Sequence, residues 1–314
     1  MTAIKVQLPS ALRYDFGQRP MVAAHNLAVH PLFTDQALIE LLDRFPRQHL
    51  YAFTMGDDVM RPEENRLASH EGISGAELLE AVRNGRFWLN LTRIDLADAS
   101  YRELIEQIYE QLASFAPNFK PKSCQGAVLI SSPRALVYYH ADAPANMLWH
   151  VRGRKRIWVY PAMDQRYLAR DVLEDIFAGV RHEYIPYQRS FDEAAICYDV
   201  EPGQWVSWPH NAPHRVTNLE GLNVSLATEH FTTETLRRQR VYVANRFLRT
   251  RVGVKNLSPR EEGAVAMLKT MGHRAIAKLG MDPLQYKRYK PVLRINARVP
   301  GCVTALSDAT SLPA

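Results

Sequence analysis

In the first 120 residues, the spacing of apolar positions changes several times between that of a helix and that of a strand. Three segments have apolar residues every three or four positions and are predicted to be amphipathic helices: residues 34–45, 74–83 and 99–115. Thr34 stands at the start of the first as an N-cap. Two short apolar runs between the helices predict strands: residues 50–55 and 86–91. The N-terminal part is therefore expected to mix helices with short strands.

From Gly126 to Phe231 the pattern becomes that of a β-protein. About eight short runs of β-branched and aromatic residues follow one another, with turn residues between them. Short strands at this spacing are typical of a β-sandwich or barrel. One helical insertion is predicted near residues 165–178.

After Phe231 the apolar spacing is helical again. One helix is predicted over Thr235–Arg249 and a second over Pro259–Leu279. The second has Ser258 as N-cap, Glu261 three residues later and Gly280 past its end. The apolar stripes of both helices must be buried against the barrel, against each other or against a second copy of the chain.

Length and composition are those of an ordinary globular protein. The chain has 314 residues, 46% hydrophobic and 23% charged, enough for one large domain or two smaller ones. No apolar run is long enough to span a membrane, and the N-terminal residues lack the apolar stretch of a secretory signal. The three cysteines are far apart and are expected to be buried free thiols: Cys124, Cys197 and Cys302. These features favour a reducing, cytoplasmic compartment.

Charge is distributed unevenly along the chain. Residues 232–314 carry 16 Lys and Arg against 5 Asp and Glu, whereas the rest carries 23 basic and 28 acidic residues. Such a basic segment can bind nucleic acid or another anionic macromolecule. It can equally be a solvated helix face, or contact the acidic part of the chain within a homodimer. We favour a homodimer built by the C-terminal helices.

The chemistry of interest centres on His140-Ala141-Asp142. In a strand, residues two apart face the same side, so both side chains can reach one metal ion. With 11 histidines and 33 acidic residues, about one such His-x-acid pair is expected by chance, so the pair alone has little value. His214, at the start of a later apolar run, is the candidate third ligand. Two histidines and one carboxylate can hold iron(II) with open positions; the alternative for His140 is a hydrogen-bonded core histidine.

The sequence around these residues resembles the Jumonji-C/cupin-like family of iron(II)- and 2-oxoglutarate-dependent oxygenases, which includes the asparaginyl hydroxylase of hypoxia-inducible factor. Two blocks carry the resemblance, HADAPANMLWHVRGRKRIWVYP from His140 and PGQWVSWPHNAPH ending at His214. Their spacing matches the family pattern at ten positions: His140, Asp142, Asn146, Gly153, Lys155, Pro161, Pro202, Gly203, Pro209 and His214. The match covers about 100 residues closely.

The resemblance implies a mainly β fold with flanking helices. The expected core is a double-stranded β-helix, the jelly-roll barrel of cupins, over about residues 126–231. Residues 1–231 would form the catalytic domain with its N-terminal helix–strand flank. Residues 232–314 would form a basic C-terminal helical segment that dimerises.

The resemblance also implies roles for individual residues. His140, Asp142 and His214 would bind Fe(2+), and Lys155 would bind the remote carboxylate of 2-oxoglutarate, for which a lysine offers a compact positive charge. Arg154 and Arg156 point the other way along the strand and are expected to face solvent.

Further contacts to 2-oxoglutarate are expected from neighbouring strand positions. Asn146 and Leu148 share a strand face and would line the pocket, although Asn146 is also an acceptable turn or edge residue. The family often has a hydroxyl residue three positions before the first ligand, where this chain has Val137. Tyr138 shares the face of His140 and is the proposed replacement, with Tyr139 left open.

Other histidines and the tryptophans are given structural roles. Three histidines near the motif are expected to be structural or to face substrate: His150, His210 and His230. Five tryptophans are expected to fill the barrel core, Trp208 being the candidate pocket wall: Trp88, Trp149, Trp158, Trp205 and Trp208.

The function implied by the resemblance is that of a dioxygenase. Fe(2+), 2-oxoglutarate and O2 would together hydroxylate a protein side chain, an RNA base or a small molecule, with release of succinate and CO2. The alternative is a non-catalytic cupin-like module that binds a ligand or regulates a partner. A pure binding module has no need of three metal ligands together with Lys155.

Overall fold

The computed structural model of the protein describes residues 4–181, 184–278 and 290–306. The helices are α1 (Asp35–Arg44), α2 (Gly75–Asn84), α3 (Ile94–Ala97), α4 (Ala99–Phe115), α5 (Arg170–Phe177), α6 (Thr233–Phe247) and α7 (Ala264–Lys278). The strands are β1 (Met21–Ala24), β2 (Leu50–Thr54), β3 (Arg66–Ser69), β4 (Phe87–Thr92), β5 (Lys122–Ser131), β6 (Leu136–His140), β7 (Ala145–Val159), β8 (Ile196–Val200), β9 (Gln204–Ser207), β10 (His214–Phe231), β11 (Leu293–Ile295) and β12 (Val303–Ala305).

The N-terminal elements agree with their sequence patterns. Helices α1, α2 and α4 and strands β2 and β4 lie where the apolar spacing predicts them. The Thr34 hydroxyl accepts from the Ala37 amide, and Ser74 forms a capping box with Glu77. These caps define the helix starts because each satisfies an amide that has no partner within the helix.

Strands β7 and β10 form the centre of the β-structure. They pair antiparallel along almost their whole length, and each also changes its second neighbour midway. The first half of β7 pairs with β9 and the second with β8, while the first half of β10 pairs with β6 and the second with β5. The two strands thus run through both halves of a cupin-like jelly roll, which confirms the predicted mainly β fold.

Two glycines let these strands bend without ending. Gly153 in β7 has φ +79°, and Gly221 in β10 has φ +69°. A Cβ on Gly153 would lie 2.6 Å from the side-chain nitrogen of Asn223, so the crossing leaves no room for a side chain. The sequence pattern predicts about eight short strands from Gly126 to Phe231, whereas the described residues of this range form six, because β7 and β10 each continue past their glycine and stay paired on both sides of it.

The sheet continues beyond the jelly roll into the rest of the chain. Strands β5, β4, β2 and β3 lie side by side, and β11 and β12 add to the β3 edge. β11 runs parallel to β3, with Leu293 opposite Ala68. The C-terminal segment, expected to be helical, therefore also supplies two short strands.

The second C-terminal helix starts later than predicted. Helix α7 begins at Ala264, so Ser258 is not its N-cap, and Leu279 and Gly280 lie outside the described residues. Glu261, expected to complete a capping box, instead accepts from the Arg238 guanidinium at 2.7 Å. An ion pair with α6 thus replaces the local cap.

The basic side chains of α6 are largely matched by acidic residues of the same chain. Three arginines of α6 and one just after it form ion pairs: Arg237–Glu262, Arg238–Glu261, Arg246–Asp175 and Arg249–Glu174. The positive charge of this segment is therefore partly neutralised by acidic residues of the same chain.

The core accommodates most, but not all, of the residues assigned to it. Trp149, Trp205 and Trp208 are buried, whereas Trp88 and Trp158 are partly exposed. The cysteines are free, as expected, but they are not all buried: Cys197 is exposed, because it lies on the edge strand β8. Among the described residues, no helix is long and apolar enough to cross a membrane.

Candidate active site

The three candidate metal ligands come together where β6 and β10 pair. His140 is the last residue of β6, His214 is the first of β10, and the register sets the two opposite each other. Their ring centroids are 4.0 Å apart. Asp142 lies 3.7 Å from Nε2 of His140 through Oδ1, and 3.5 Å from Nε2 of His214 through Oδ2. One ligand atom from each residue lies within 4.8 Å of the others, as a shared metal ion requires.

Hydrogen bonds leave the same nitrogen of each histidine available. Nδ1 of His140 is 2.7 Å from the Tyr138 carbonyl, and Nδ1 of His214 is 3.1 Å from the Ala212 carbonyl. A carbonyl only accepts, so Nδ1 carries the proton and Nε2 keeps its lone pair. Burial and the nearby His140 lower the pKa of His214 to about 4, so the ring is neutral at pH 7. The donor set fits a divalent ion such as iron(II).

Two asparagines hold Asp142. The side-chain amide of Asn146 donates to Oδ2 of Asp142 at 3.1 Å, and that of Asn211 donates to the Asp142 backbone carbonyl at 2.8 Å. Asn211 has φ +63°, a left-handed conformation that asparagine tolerates better than most residues. The side-chain oxygen of Asn146 is buried without a donor among the described residues, so it can accept from a bound ligand.

Lys155 lies inside the barrel on β7 and is buried. Its Nζ donates to the Ser225 hydroxyl at 2.9 Å, and within the described residues it forms no ion pair with a carboxylate. Burial lowers the pKa of this amine to about 7. A buried ammonium without a counter-ion is costly, and a bound carboxylate would remove that cost.

His150 fixes the direction of the Ser225 hydroxyl. Its Nε2 is 2.9 Å from the Gly153 carbonyl and therefore carries the proton, which leaves Nδ1 to accept from Ser225 at 3.0 Å. Because its proton points to His150, the Ser225 oxygen offers a lone pair to Lys155. Burial and the charge of Lys155 lower the pKa of His150 to about 2. Both ring nitrogens are engaged, which agrees with a structural role.

The wall between the candidate metal ligands and Lys155 is mostly apolar. Asn146, Leu148 and His150 lie opposite Glu229, Ala227 and Ser225 in the register of β7 and β10, so Asn146 and Leu148 share one face as predicted. The residues packed around Leu148 form one buried cluster: Ile157, Val159, Val200, Val206, Trp208, Ala212 and Ala227. The Trp208 ring is 4.3 Å from that of His214, so it forms part of the wall.

Tyr138 and Tyr139 have other partners. The Tyr138 hydroxyl accepts from the Gly56 amide at 3.1 Å, and the Tyr139 hydroxyl donates to the Tyr167 carbonyl at 2.9 Å. Both rings line a cavity of about 370 Å³. Tyr184, whose ring packs against that of His140, lines the same cavity. A co-substrate contact from Tyr138 stays a prediction.

Several residues of this region were missed from the sequence. Ser225 and Glu229 alternate with Ala227 on the inward face of β10, so the period-two pattern of that strand was the available signal. Glu229 accepts from the Gln125 amide, and burial together with Asp142 raises its pKa to about 7. No sequence pattern could predict the roles of His210 and Asn211, because both lie in a turn whose conformation depends on tertiary contacts.

Jelly-roll topology combined with a two-histidine, one-carboxylate centre defines a cupin-type protein with a candidate metal site. The sequence model of the cupin-like domain family matches residues 55–229, more than half of the chain. The chain belongs to the cupin-like domain family.

Among solved structures, the chain is similar to the X-ray structure of YcfD from E. coli. The identity is 15% and the TM-score 0.51, over 91% of this chain and 71% of that one. A structure of YcfD, a ribosomal oxygenase from Escherichia coli, in complex with cobalt and 2-oxoglutarate, matches at 16% identity with a TM-score of 0.49, over 93% of this chain and 74% of that one. At these identities the likeness concerns the fold. No curated protein matches the chain in sequence.

Proposed function

We propose that the protein is an iron(II)- and 2-oxoglutarate-dependent dioxygenase that hydroxylates a substrate still to be identified. The observation that carries the proposal is that one barrel interior contains a candidate set of three metal-binding residues and a buried lysine that has no carboxylate partner within the described parts of the chain. A site for a structural metal would need only the first feature. A co-substrate that chelates the metal and carries a second, remote carboxylate needs both.

Each group has a distinct task in this proposal. His140, Asp142 and His214 would hold the metal through Nε2, a carboxylate oxygen and Nε2. Lys155 would bind the remote carboxylate of 2-oxoglutarate, and the Asn146 oxygen would face the ligand near the metal. Bound iron(II), with 2-oxoglutarate and O2, supplies the oxidising power for hydroxylation of a C–H bond, with release of succinate and CO2.

The chain's own residues prepare the site for this chemistry. Carbonyl acceptors fix both histidines in the tautomer that binds a metal, so no proton has to leave them when the ion enters. The apolar wall around Leu148 and Trp208 excludes water from the co-substrate, which strengthens its attraction to Lys155. YcfD holds cobalt and 2-oxoglutarate in its complex; the proposal for this chain rests on its own residues.

The test is uncoupled turnover. The protein with iron(II), ascorbate and 2-oxoglutarate, but no substrate, is expected to release succinate slowly. Lys155→Met should abolish this release at a low 2-oxoglutarate concentration, whereas Arg156→Met, on the neighbouring outward position that pairs with Asp199, should not. Binding of 2-oxoglutarate with no succinate formed, even at high enzyme concentration, would favour the non-catalytic cupin-like module.

We also infer a homodimer formed through α7. On this helix Ala266 and Lys269 are buried, whereas its other face exposes four large apolar side chains: Val265, Met267, Leu268 and Met271. None of these four side chains is covered by the residues that the structure describes. An apolar face of this kind is typical of a surface that binds a partner, and a second copy offers the same face.

Sedimentation equilibrium at micromolar concentration tests the dimer. Wild type should sediment as a dimer, and the double variant Leu268→Asp/Met271→Asp as a monomer. Val252→Asp, an exposed apolar position outside α7, is the matched control. A wild-type monomer that bound RNA with a steep salt dependence would instead favour an anionic macromolecule as the partner of this segment.

The substrate class stays open between a protein side chain, an RNA base and a small molecule. The ion pairs of α6 within the chain reduce the positive field available for RNA, and therefore support a protein or small-molecule substrate more than a nucleic acid. The free cysteines support a cytoplasmic location, where thiols stay reduced.

A further inference from the structure

The loop that carries Asp142 is held by a second loop of the cupin-like domain, which contains His210 and Asn211. This loop, residues 141–144, joins β6 to β7 and has two consecutive carbonyls bound by two consecutive residues of a second loop. Asn211 donates to the Asp142 carbonyl at 2.8 Å, and Nε2 of His210 is 2.9 Å from the Ala143 carbonyl. The position of a candidate metal ligand therefore depends on the orientation of His210.

The orientation of His210 depends in turn on the C-terminal helix α6. Nη1 of Arg238 is 3.3 Å from Nδ1 of His210 and also donates to the His210 carbonyl at 3.3 Å. Glu261, ahead of α7, binds the same guanidinium at 2.7 Å. Residues 55–229 match the cupin-like domain, so Arg238 and Glu261 belong to the C-terminal segment that follows it.

The hydrogen bonds around His210 agree on one tautomer. The Ala143 carbonyl only accepts, so Nε2 carries the proton, and the guanidinium only donates, so Nδ1 must accept. The Phe177 ring packs against the imidazole, with centroids 5.8 Å apart. Burial and Arg238 lower the pKa of His210 to about 3, so the neutral ring is kept at physiological pH.

We propose that Arg238 and His210 are positioning residues for the metal centre: Arg238 fixes His210, which fixes the Asp142 loop. The proposal rests on the proposed function, because it takes His140, Asp142 and His214 as the metal ligands. It gives the C-terminal helices a role beyond association: their packing against the domain sets the geometry of the site.

The experiment measures Co²⁺ binding, followed by the visible absorption of the metal, and needs no turnover. Arg238→Gln is expected to weaken Co²⁺ binding about tenfold, within the range found when an outer partner of a metal ligand is lost. Arg237→Gln, the adjacent arginine paired with Glu262, is the matched control and should bind as wild type. Thermal unfolding of the metal-free proteins, compared in parallel, separates a positioning role from loss of fold.

Two more variants test whether Arg238 acts on the Asp142 loop through His210. His210→Phe should weaken Co²⁺ binding at least as much as Arg238→Gln. His210→Gln can still accept from Arg238 and donate to Ala143, so it should retain part of the Co²⁺ affinity that His210→Phe loses. Adding Arg238→Gln to His210→Phe should cause little further loss, because Arg238 acts through His210.

The outcomes separate this inference from the proposed function. If wild type binds Co²⁺ through the three ligands and Arg238→Gln binds it equally well, the positioning role is overturned and the proposed function stands. If His214→Ala binds Co²⁺ as tightly as wild type, the metal assignment fails, and the positioning role fails with it.

Discussion

Two buried clusters of the jelly roll contain histidine, and they differ in what the ring nitrogens contact. The first is the candidate metal centre, and the second is formed by His150, Ser225 and Lys155. At the candidate metal centre, His140 and His214 each donate from Nδ1 to a backbone carbonyl and leave Nε2 facing Asp142. In the second cluster, both ring nitrogens of His150 form hydrogen bonds, one with Gly153 and one with Ser225.

The comparison shows that the unengaged nitrogen, and not burial, separates a candidate ligand from a structural histidine. All three rings are largely buried, and burial lowers the pKa of both His214 and His150. What differs is the location. His140 and His214 lie at strand ends, where side chains from several elements meet. His150 lies within β7 and is paired on both sides, with Ser225 of β10 and Gln204 of β9.

The largest expected effect comes from removing a ligand at the first cluster. His140→Ala, Asp142→Ala and His214→Ala should each lower metal affinity and succinate release by orders of magnitude, because three protein ligands are the minimum for this centre. Metal titration and succinate assays measure this. His230→Gln is the control, since that buried ring bonds to the Tyr109 hydroxyl and lies outside the donor set. If one of these three alanine variants bound the metal with wild-type affinity, the proposed difference between the two clusters would be contradicted.

At the second cluster, removing the charge should affect the co-substrate and spare the metal. Lys155→Ala is expected to raise the apparent KM for 2-oxoglutarate about a hundredfold, since loss of one partner of a desolvated charge pair costs about 3 kcal/mol. Metal affinity should change little. Equal 2-oxoglutarate affinity in wild type and variant would exclude the co-substrate role of Lys155.

The same lysine predicts a pH dependence of ligand binding. Its pKa of about 7 in the free site rises when a carboxylate binds, so binding takes up a proton above pH 7. Affinity for succinate, measured by calorimetry, should therefore be highest below pH 7 and fall by up to about tenfold per pH unit above it.

Two variants sharpen this pH test. Lys155→Arg keeps its charge and should flatten the profile. Ionisation of Glu229, whose pKa is also about 7, acts in the same direction, so the profile is repeated in Glu229→Gln. A slope that persists in Lys155→Arg and disappears in Glu229→Gln would assign the effect to the carboxyl group.

The smallest effect is expected from the hydroxyl between His150 and Lys155. Ser225→Ala removes one hydrogen bond to the ammonium and should raise the 2-oxoglutarate KM about fivefold, with kcat nearly unchanged. Thr228→Val is the matched control, because that buried hydroxyl lies on the opposite face of β10, where it accepts from Trp149. Equal KM shifts in both variants would show that packing, and not the hydrogen bond, is responsible.

Sequence reasoning succeeded where local spacing determines geometry. The two-residue period placed His140 with Asp142 and Asn146 with Leu148 on shared faces. His214, chosen for its place at the start of a later apolar run, lies opposite His140 in the strand register. The outward orientation of Arg154 and Arg156 followed from the same alternation, and both pair with surface carboxylates.

Sequence reasoning failed where a tertiary contact overrode the local pattern. Glu261 pairs with Arg238 and leaves the cap predicted at Ser258 unformed. Gly153 and Gly221 each lie inside a long strand, so the sequence pattern predicts more and shorter strands than the described residues form. The His210–Ala143 and Asn211–Asp142 contacts join turns 67 or more residues apart, and no periodicity could predict them.

The most direct test of the account is a crystal structure grown without oxygen in the presence of Mn²⁺ and 2-oxoglutarate, with the metal located by anomalous scattering. The account predicts one anomalous peak bound by His140, Asp142 and His214, with the remote carboxylate of 2-oxoglutarate on Lys155. A peak on His150 or His230, or a ligand that leaves Lys155 without a carboxylate, would contradict it.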